Sequence, residues 1–263
     1  MNADPHALSP LALALLAGLA AAAATALGTL PVLFVSRLAQ RLQDTLLGFG
    51  AGIMLAASAF SLVLPGIAEA RRLGAGAFAA ALLVGASLLA GGALIRLLDR
   101  VVPHEHFVKG PEGGSPLRLK RAWLFVFAIC LHNLPEGLAI GVGYATDTAH
   151  GNALATGIAL QDIPEGLVVA LALLAVGYGR GWSLLVGMLS GLVEPLGAVA
   201  GASVVLALPA LLPCGLGFAA GAMLYVVSHE IIPESHRQGH EHYATAGLML
   251  GFVLMMVLDT ALA

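Results

Sequence analysis

The chain has 263 residues, of which 59% are apolar and only 10% charged, with a formal net charge of −3. Soluble domains carry about 25% charged residues, so a chain folded wholly in water is excluded and an integral membrane protein is indicated. The small net charge and the lack of basic runs with interleaved aromatics exclude nucleic-acid binding, and Cys130 and Cys214, in apolar stretches and outside any CxxC pair, make redox chemistry or a cysteine metal site a poor fit.

The apolar runs do not alternate in polarity as barrel strands do, so they read as helices. A helix crosses the bilayer with about 20 apolar residues. Eight such runs follow in chain order: 8–36, 43–69, 74–99, 121–146, 151–177, 181–206, 210–233 and 243–262. No Lys or Arg precedes the first, so a cleavable signal peptide is not expected. Turns marked by Gly, Pro or charge separate the runs, except for a longer connection over 100–120 that carries PHEH and KGPEGGSP and is expected to be a mobile cytoplasmic loop. The whole chain forms one transmembrane domain.

The basic residues orient it. Arg37, Arg41, Arg96, Arg100, Lys109, Arg118, Lys120, Arg121, Arg180 and Arg237 share one side of an eight-helix bundle, and only Arg71 and Arg72 fall on the other. Basic residues stay cytoplasmic, which places both termini extracytoplasmic.

Ionisable groups at mid-bilayer cost about 2.5–3.5 kcal/mol each, so each needs a reason to be there. The fourth segment reads HNLPEGLAIG and the fifth QDIPEGLVVA, one pattern written twice. Residues i, i+1 and i+4 share a helix face, which groups His132, Asn133 and Glu136 and, on the next helix, Gln161, Asp162 and Glu165. Two copies on antiparallel neighbours imply inverted symmetry, with polar faces converging at Pro-broken helices, the signature of a transporter. Pro135 and Pro164 each remove a backbone donor and free a carbonyl one turn earlier.

The sixth segment adds Glu194 before Pro195, giving four intramembrane acids with no Lys or Arg among them. Two divalent cations would neutralise their charge, and protonation is the alternative. Mixed imidazole, amide and carboxylate donors suit zinc, copper, iron and nickel and admit manganese and cadmium, while Met54 in the second segment reads either as a core gap-filler, the commoner role, or as a softer ligand.

Helix parity sorts the other polar residues. His229 and Glu230 at the end of the seventh segment, with Asp99, His104 and His106, form a candidate cytoplasmic exit site. Asp44 lies at the same face, and His236, His240 and His242 read equally well as ligands or as solvated loop residues. Ser61 and Asp259 form a candidate entrance, whereas Asp147 and His150 read as surface.

The pair HNxPEG and QDxPEG resembles the core of the ZIP family of divalent metal transporters, close to its bacterial GufA-like members. The stretches FSLVLPG, GLVEPLGA, SHEIIPESHRQGHE and GFVLMMVLDTALA are similar to the family as well. The resemblance implies an all-α, 3+2+3 helix arrangement in the bacterial inner membrane and a binuclear centre between the fourth and fifth segments. By position, one ion would take Met54, His132, Glu136, Gln161 and Glu165. The other would take Asn133, Glu136, Asp162, Glu165 and Glu194, with both glutamates bridging. Many eukaryotic members have histidine where this chain has Gln161. The resemblance also implies inward transport of Zn²⁺, with Cd²⁺, Fe²⁺ or Mn²⁺ as further cargo, no organic cofactor, and a homodimer in the bilayer.

Rival functions are weaker. A membrane zinc metalloenzyme would need an open metal position with a base, and neither HExxH nor GxSxG is present, so no enzyme is expected. An efflux carrier or a metal sensor would be expected to carry a soluble domain. A metal-selective channel with the same site stays open as the alternative to a carrier.

Overall fold

A computed structural model describes residues 8–101, 104–106, 110–112, 121–175 and 177–262; for 104–106, 110–112, 121–132 and 175 it describes the backbone alone. The helices in chain order are α1 (Pro10–Thr29), α2 (Gln40–Ala56), α3 (Leu64–Arg72), α4 (Ala77–Val101), α5 (Arg121–Thr146), α6 (Thr148–Ala175), α7 (Arg180–Ser190), α8 (Val193–Ala207), α9 (Leu212–Val226), α10 (Ile232–Ser235) and α11 (Glu241–Leu262). Among the described residues seven continuous helical stretches are long and apolar enough to cross a membrane: Pro10–Leu33, Gln40–Arg72, Ala77–Val101, Thr148–Leu174, Arg180–Ala207, Pro209–Ser235 and Glu241–Leu262. The 26-residue α5 is a further helix, carrying Pro135 in its interior. The chain is a multi-pass, predominantly helical membrane protein.

The long connection contains two short strands, His104–His106 and Gly110–Glu112, paired antiparallel with His104 opposite Glu112. A pure loop is therefore too simple a description of 100–120. The side chains of His104 and His106 lie outside the described residues.

Two of the spans are broken in the same way. A π-helical turn, Ala57–Val63, joins α2 to α3, and another, Val227–Ile231, joins α9 to α10. Each is followed two residues later by a proline, Pro65 or Pro233, with no N–H to offer the carbonyl four residues before it. Widening the helix by one residue per turn accommodates the lost bond, and such turns recur at functional sites. The residues four before those prolines are Ser61 and His229, the polar residues singled out for the two ends of the pathway. A third break, at Gly191 and Leu192, separates α7 from α8 and brings Glu194 into the first turn of α8.

Packing sorts the helices into two groups. Helices α1, α5, α6 and α7–α8 lie against one another, and α2–α3, α4, α9–α10 and α11 form the second group. Small residues make the close contacts inside each group, as expected where lipid supplies no hydrophobic force between helices. The core between the groups is apolar, with Ile53, Met54, Leu62, Ile140, Leu154, Ile158, Leu216 and Met223 all fully buried. Leucines on the outer faces, such as Leu83, Leu89, Leu196 and Leu250, are exposed as lipid-facing side chains are.

Candidate metal centre

The duplicated motif lies halfway along α5 and α6. Ligand atoms of Glu136, Asp162 and Glu165 lie within 4.8 Å of one another, on two different helices. Glu136 and Asp162 are buried and Glu165 is half-buried. Gln161 Nε2 donates to Glu136 Oε1, tying the two copies of the motif directly. Glu194 is fully buried, and its carboxyl reaches the same cluster through Asp162. Four carboxyls from α5, α6 and α8 therefore converge, as the spacing of the motifs predicts.

The glycines of the two PEG triplets explain how the third and fourth helices come so close. A Cβ on Gly137 would lie 2.3 Å from the carbonyl oxygen of Glu194, so only glycine lets α8 deliver that carboxylate against α5. A Cβ on Gly166 would lie 2.2 Å from the carbonyl oxygen of Thr25, so the second glycine seats α1 on α6 in the same fashion. The helix α1 then contributes a residue the sequence reading missed. Thr25 Oγ1 donates to Glu194 Oε1 at 3.1 Å and also bonds to the Ala21 carbonyl. Its signal in the sequence is a single hydroxyl in the alanine run AAAATALG, which reads equally well as a packing residue.

Asn133 turns its amide towards α7 and α8, with Nδ2 donating to the Ser190 carbonyl at 3.1 Å and approaching Glu194 Oε1 at 3.4 Å. Its Oδ1 is buried with no donor among the described residues, as are Gln161 Oε1 and Asp162 Oδ2. A buried oxygen without a donor costs about 1–3 kcal/mol, so three in one cluster are an arrangement that wants a cation. Met54 is fully buried on α2, one turn from Gly50, whose face lies against Gln161. His132 lies on α5 one residue before Asn133, and its side chain is outside the described residues.

The far end of α4 and the π turn after α9 hold a second polar group. Asp99 Oδ2 accepts from Tyr225 OH at 3.2 Å and lies 3.8 Å from His229 Nε2. The side chain of His229 is 37% exposed, and Glu230 beside it is half-buried. Asp44, fully buried at the start of α2, accepts from Gln40 Nε2 at 2.9 Å and pairs with His240 Nδ1 at 3.1 Å. His236 is held by Ser235 and Ile232 within its own turn and by Thr245 on α11, and His242 is exposed. The three loop histidines thus divide into a buried aspartate's partner, a turn-forming residue and a surface residue.

At the opposite end Ser61 is fully buried and donates to Asp259 Oδ1 at 2.5 Å, so the two residues expected to act together touch. Asp147 is exposed, but His150 is not a surface residue: it is 8% exposed, and its ring Nε2 meets the Ser61 carbonyl. The reading as surface fails because it placed His150 in a polar turn outside the membrane, whereas α6 begins at Thr148 and has already carried His150 between neighbouring helices.

Residues 111–259 match the family described as ZIP Zinc transporter. The chain is 54% identical to "Zinc transporter ZIPB" of Bordetella bronchiseptica over 95% of this chain and 81% of that protein. It is 48% identical to "Zinc transporter GufA" of Myxococcus xanthus over 94% of this chain and 98% of the relative. A more distant similarity, 32% identity over 90% of this chain and 94% of the other, joins it to "Zinc transporter ZIP11" of Homo sapiens. With the duplicated PEG motif at its centre and these relatives matched along almost its whole length, the chain belongs to the ZIP family, among its bacterial GufA-like members.

Proposed function

We propose that the protein carries divalent transition-metal ions, Zn²⁺ first among them, across the bacterial inner membrane into the cytoplasm. The observation that carries this reading is the convergence of Glu136, Asp162, Glu165 and Glu194 at membrane depth, with three buried oxygens in the cluster that have no donor among the described residues. The names of the relatives supply the cargo, since ZIPB, GufA and ZIP11 are each called zinc transporters.

In this reading two ions sit between α5 and α6. Met54, His132 and Gln161 complete one position, Asn133, Asp162 and Glu194 the other, and Glu136 and Glu165 serve both. Carboxylate and amide oxygens with one imidazole bind zinc while still releasing it, as thiolates would not. Eight spanning helices in a 3+2+3 order, with α5 as the fourth, put both termini outside and the basic connections inside. The end with Ser61 and Asp259 is then the outer mouth. The end with Asp99, His229 and Glu230 is the inner one, where the half-exposed imidazole receives ions on their way out.

Zinc uptake into proteoliposomes loaded with a zinc-sensitive dye tests the function. Uptake that saturates with zinc and falls more than about tenfold in Glu165→Ala is the expected result. Equal uptake by the variant would contradict the proposed site, and absence of flux from the native protein would contradict the function.

A further inference from the structure

The residue that the sequence places on the surface, His150, sits at a junction of the two helix groups. Asp147 caps the start of α6: its Oδ1 accepts the His150 backbone N–H at 2.8 Å, and its carbonyl accepts from Gly151 at 3.0 Å. This fixes the first turn and directs the His150 ring inward, where it is 8% exposed. The ring Nε2 meets the carbonyl of Ser61, which stands four residues before Pro65 and receives no α-helical donor from it. A carbonyl can only accept, so Nε2 carries the proton in this contact. The hydroxyl of the same serine donates to Asp259 Oδ1 on α11 at 2.5 Å.

His150 rides on α6, the helix that bears Asp162 and Glu165, whereas Ser61 and Asp259 belong to the other group. Several helical hydroxyls are satisfied within their own helix, as in Thr45 to Arg41, Ser87 to Leu83 and Thr260 to Met256, whereas Thr25 also reaches across to Glu194. At Ser61 both the hydroxyl and the carbonyl are spent on other helices. We infer that His150 is a positioning residue for transport: its bond to the Pro65-freed carbonyl of Ser61 fastens the metal-bearing helix group to the other group at the outer end. The bond must part before the path from that side opens. Calling this end the outer one rests on the orientation proposed above.

The test uses the full chain in lipid vesicles, with Cys130 and Cys214 replaced by serine and a reporter introduced as Ser58→Cys. Ser58 is 1% exposed, three residues deeper than Ser61 on the same span, and far enough in to be shielded while the bond holds. A membrane-impermeant thiol reagent is applied to each face in turn. Loss of the bond in His150→Ala is expected to raise the labelling rate about fivefold. His150→Gln, whose amide N–H can still reach the carbonyl, is expected to label as slowly as the native residue. Equal labelling of native and alanine proteins, or equally fast labelling of the alanine and glutamine variants, would overturn the inference. If the alanine variant does not fold, His150→Val removes the same donor while keeping more of the packing, and the same ratios apply. The face that labels reads the orientation separately from the latch, which is read from the ratio between variants.

Discussion

The two π-helical turns are built alike and used differently. Each precedes a proline by two residues, and each presents a polar side chain four residues before it, Ser61 in one and His229 in the other. At Ser61 the polar atoms close on their neighbours: the hydroxyl is bound to Asp259, the carbonyl to His150, and the residue is fully buried. At His229 the ring is 37% exposed and stands 3.8 Å from Asp99, a separation too long for a direct hydrogen bond. The polar residue of one turn is fully buried, and that of the other is partly exposed. In the proposed function the same local device would serve as a closure at one end and as a handing-on point at the other, according to the side chain placed on it.

The comparison breaks most severely if the centre between the two turns is removed. Glu165→Ala is expected to lower zinc uptake more than about tenfold, whichever end is open, because in the proposed function both ends serve the same carboxylates. Gly137→Ala is the next largest: its methyl would sit 2.3 Å from the Glu194 carbonyl oxygen, so α8 must shift. A fall in melting temperature matching about 1–3 kcal/mol, with weaker zinc binding, is expected in calorimetry on the detergent-solubilised protein. Replacing His229 by alanine sharpens the difference between the ends. Uptake is expected to slow by about three- to fivefold while zinc binding at the core is kept, since in the proposed function this residue hands ions on without holding the site. The smallest effect is expected from His240→Ala, which removes one partner of buried Asp44 but leaves Gln40 in place. A loss of about 1 kcal/mol in stability, with little change in transport rate, is the outcome to check by thermal melts.

Much of this was legible in the sequence, and for definite reasons. The spans stand out because a bilayer demands long apolar runs, and HNLPEG and QDIPEG stand out because charged residues inside such runs are costly. Their i, i+1, i+4 spacing placed Glu136, Asp162 and Glu165 on converging faces, where the structure has them. Helix parity grouped Ser61 with Asp259 and Asp99 with His229 at opposite ends, and the structure adds that Ser61 bonds to Asp259 and that Asp99 lies 3.8 Å from His229. Thr25 was not legible, because its role depends on Gly166 admitting α1 to α6, a contact between residues far apart in the chain. His150 was misread for a related reason. A histidine beside a turn has the same local sequence whether it meets water or a carbonyl on another helix, and only the start of α6 at Thr148 decides between them. The π turns were hidden too, since a proline within an apolar run marks a break without saying which kind of helix absorbs it.

The most direct test of the central claim is the zinc content of the purified protein at saturation, measured by equilibrium dialysis with elemental analysis. The account predicts two zinc ions per chain at the core and the loss of both in the double variant Glu136→Gln, Glu165→Gln, whose neutral amides keep the shape of the side chains but not their charge. Two ions retained by that variant would contradict the claim that these carboxylates hold the cargo.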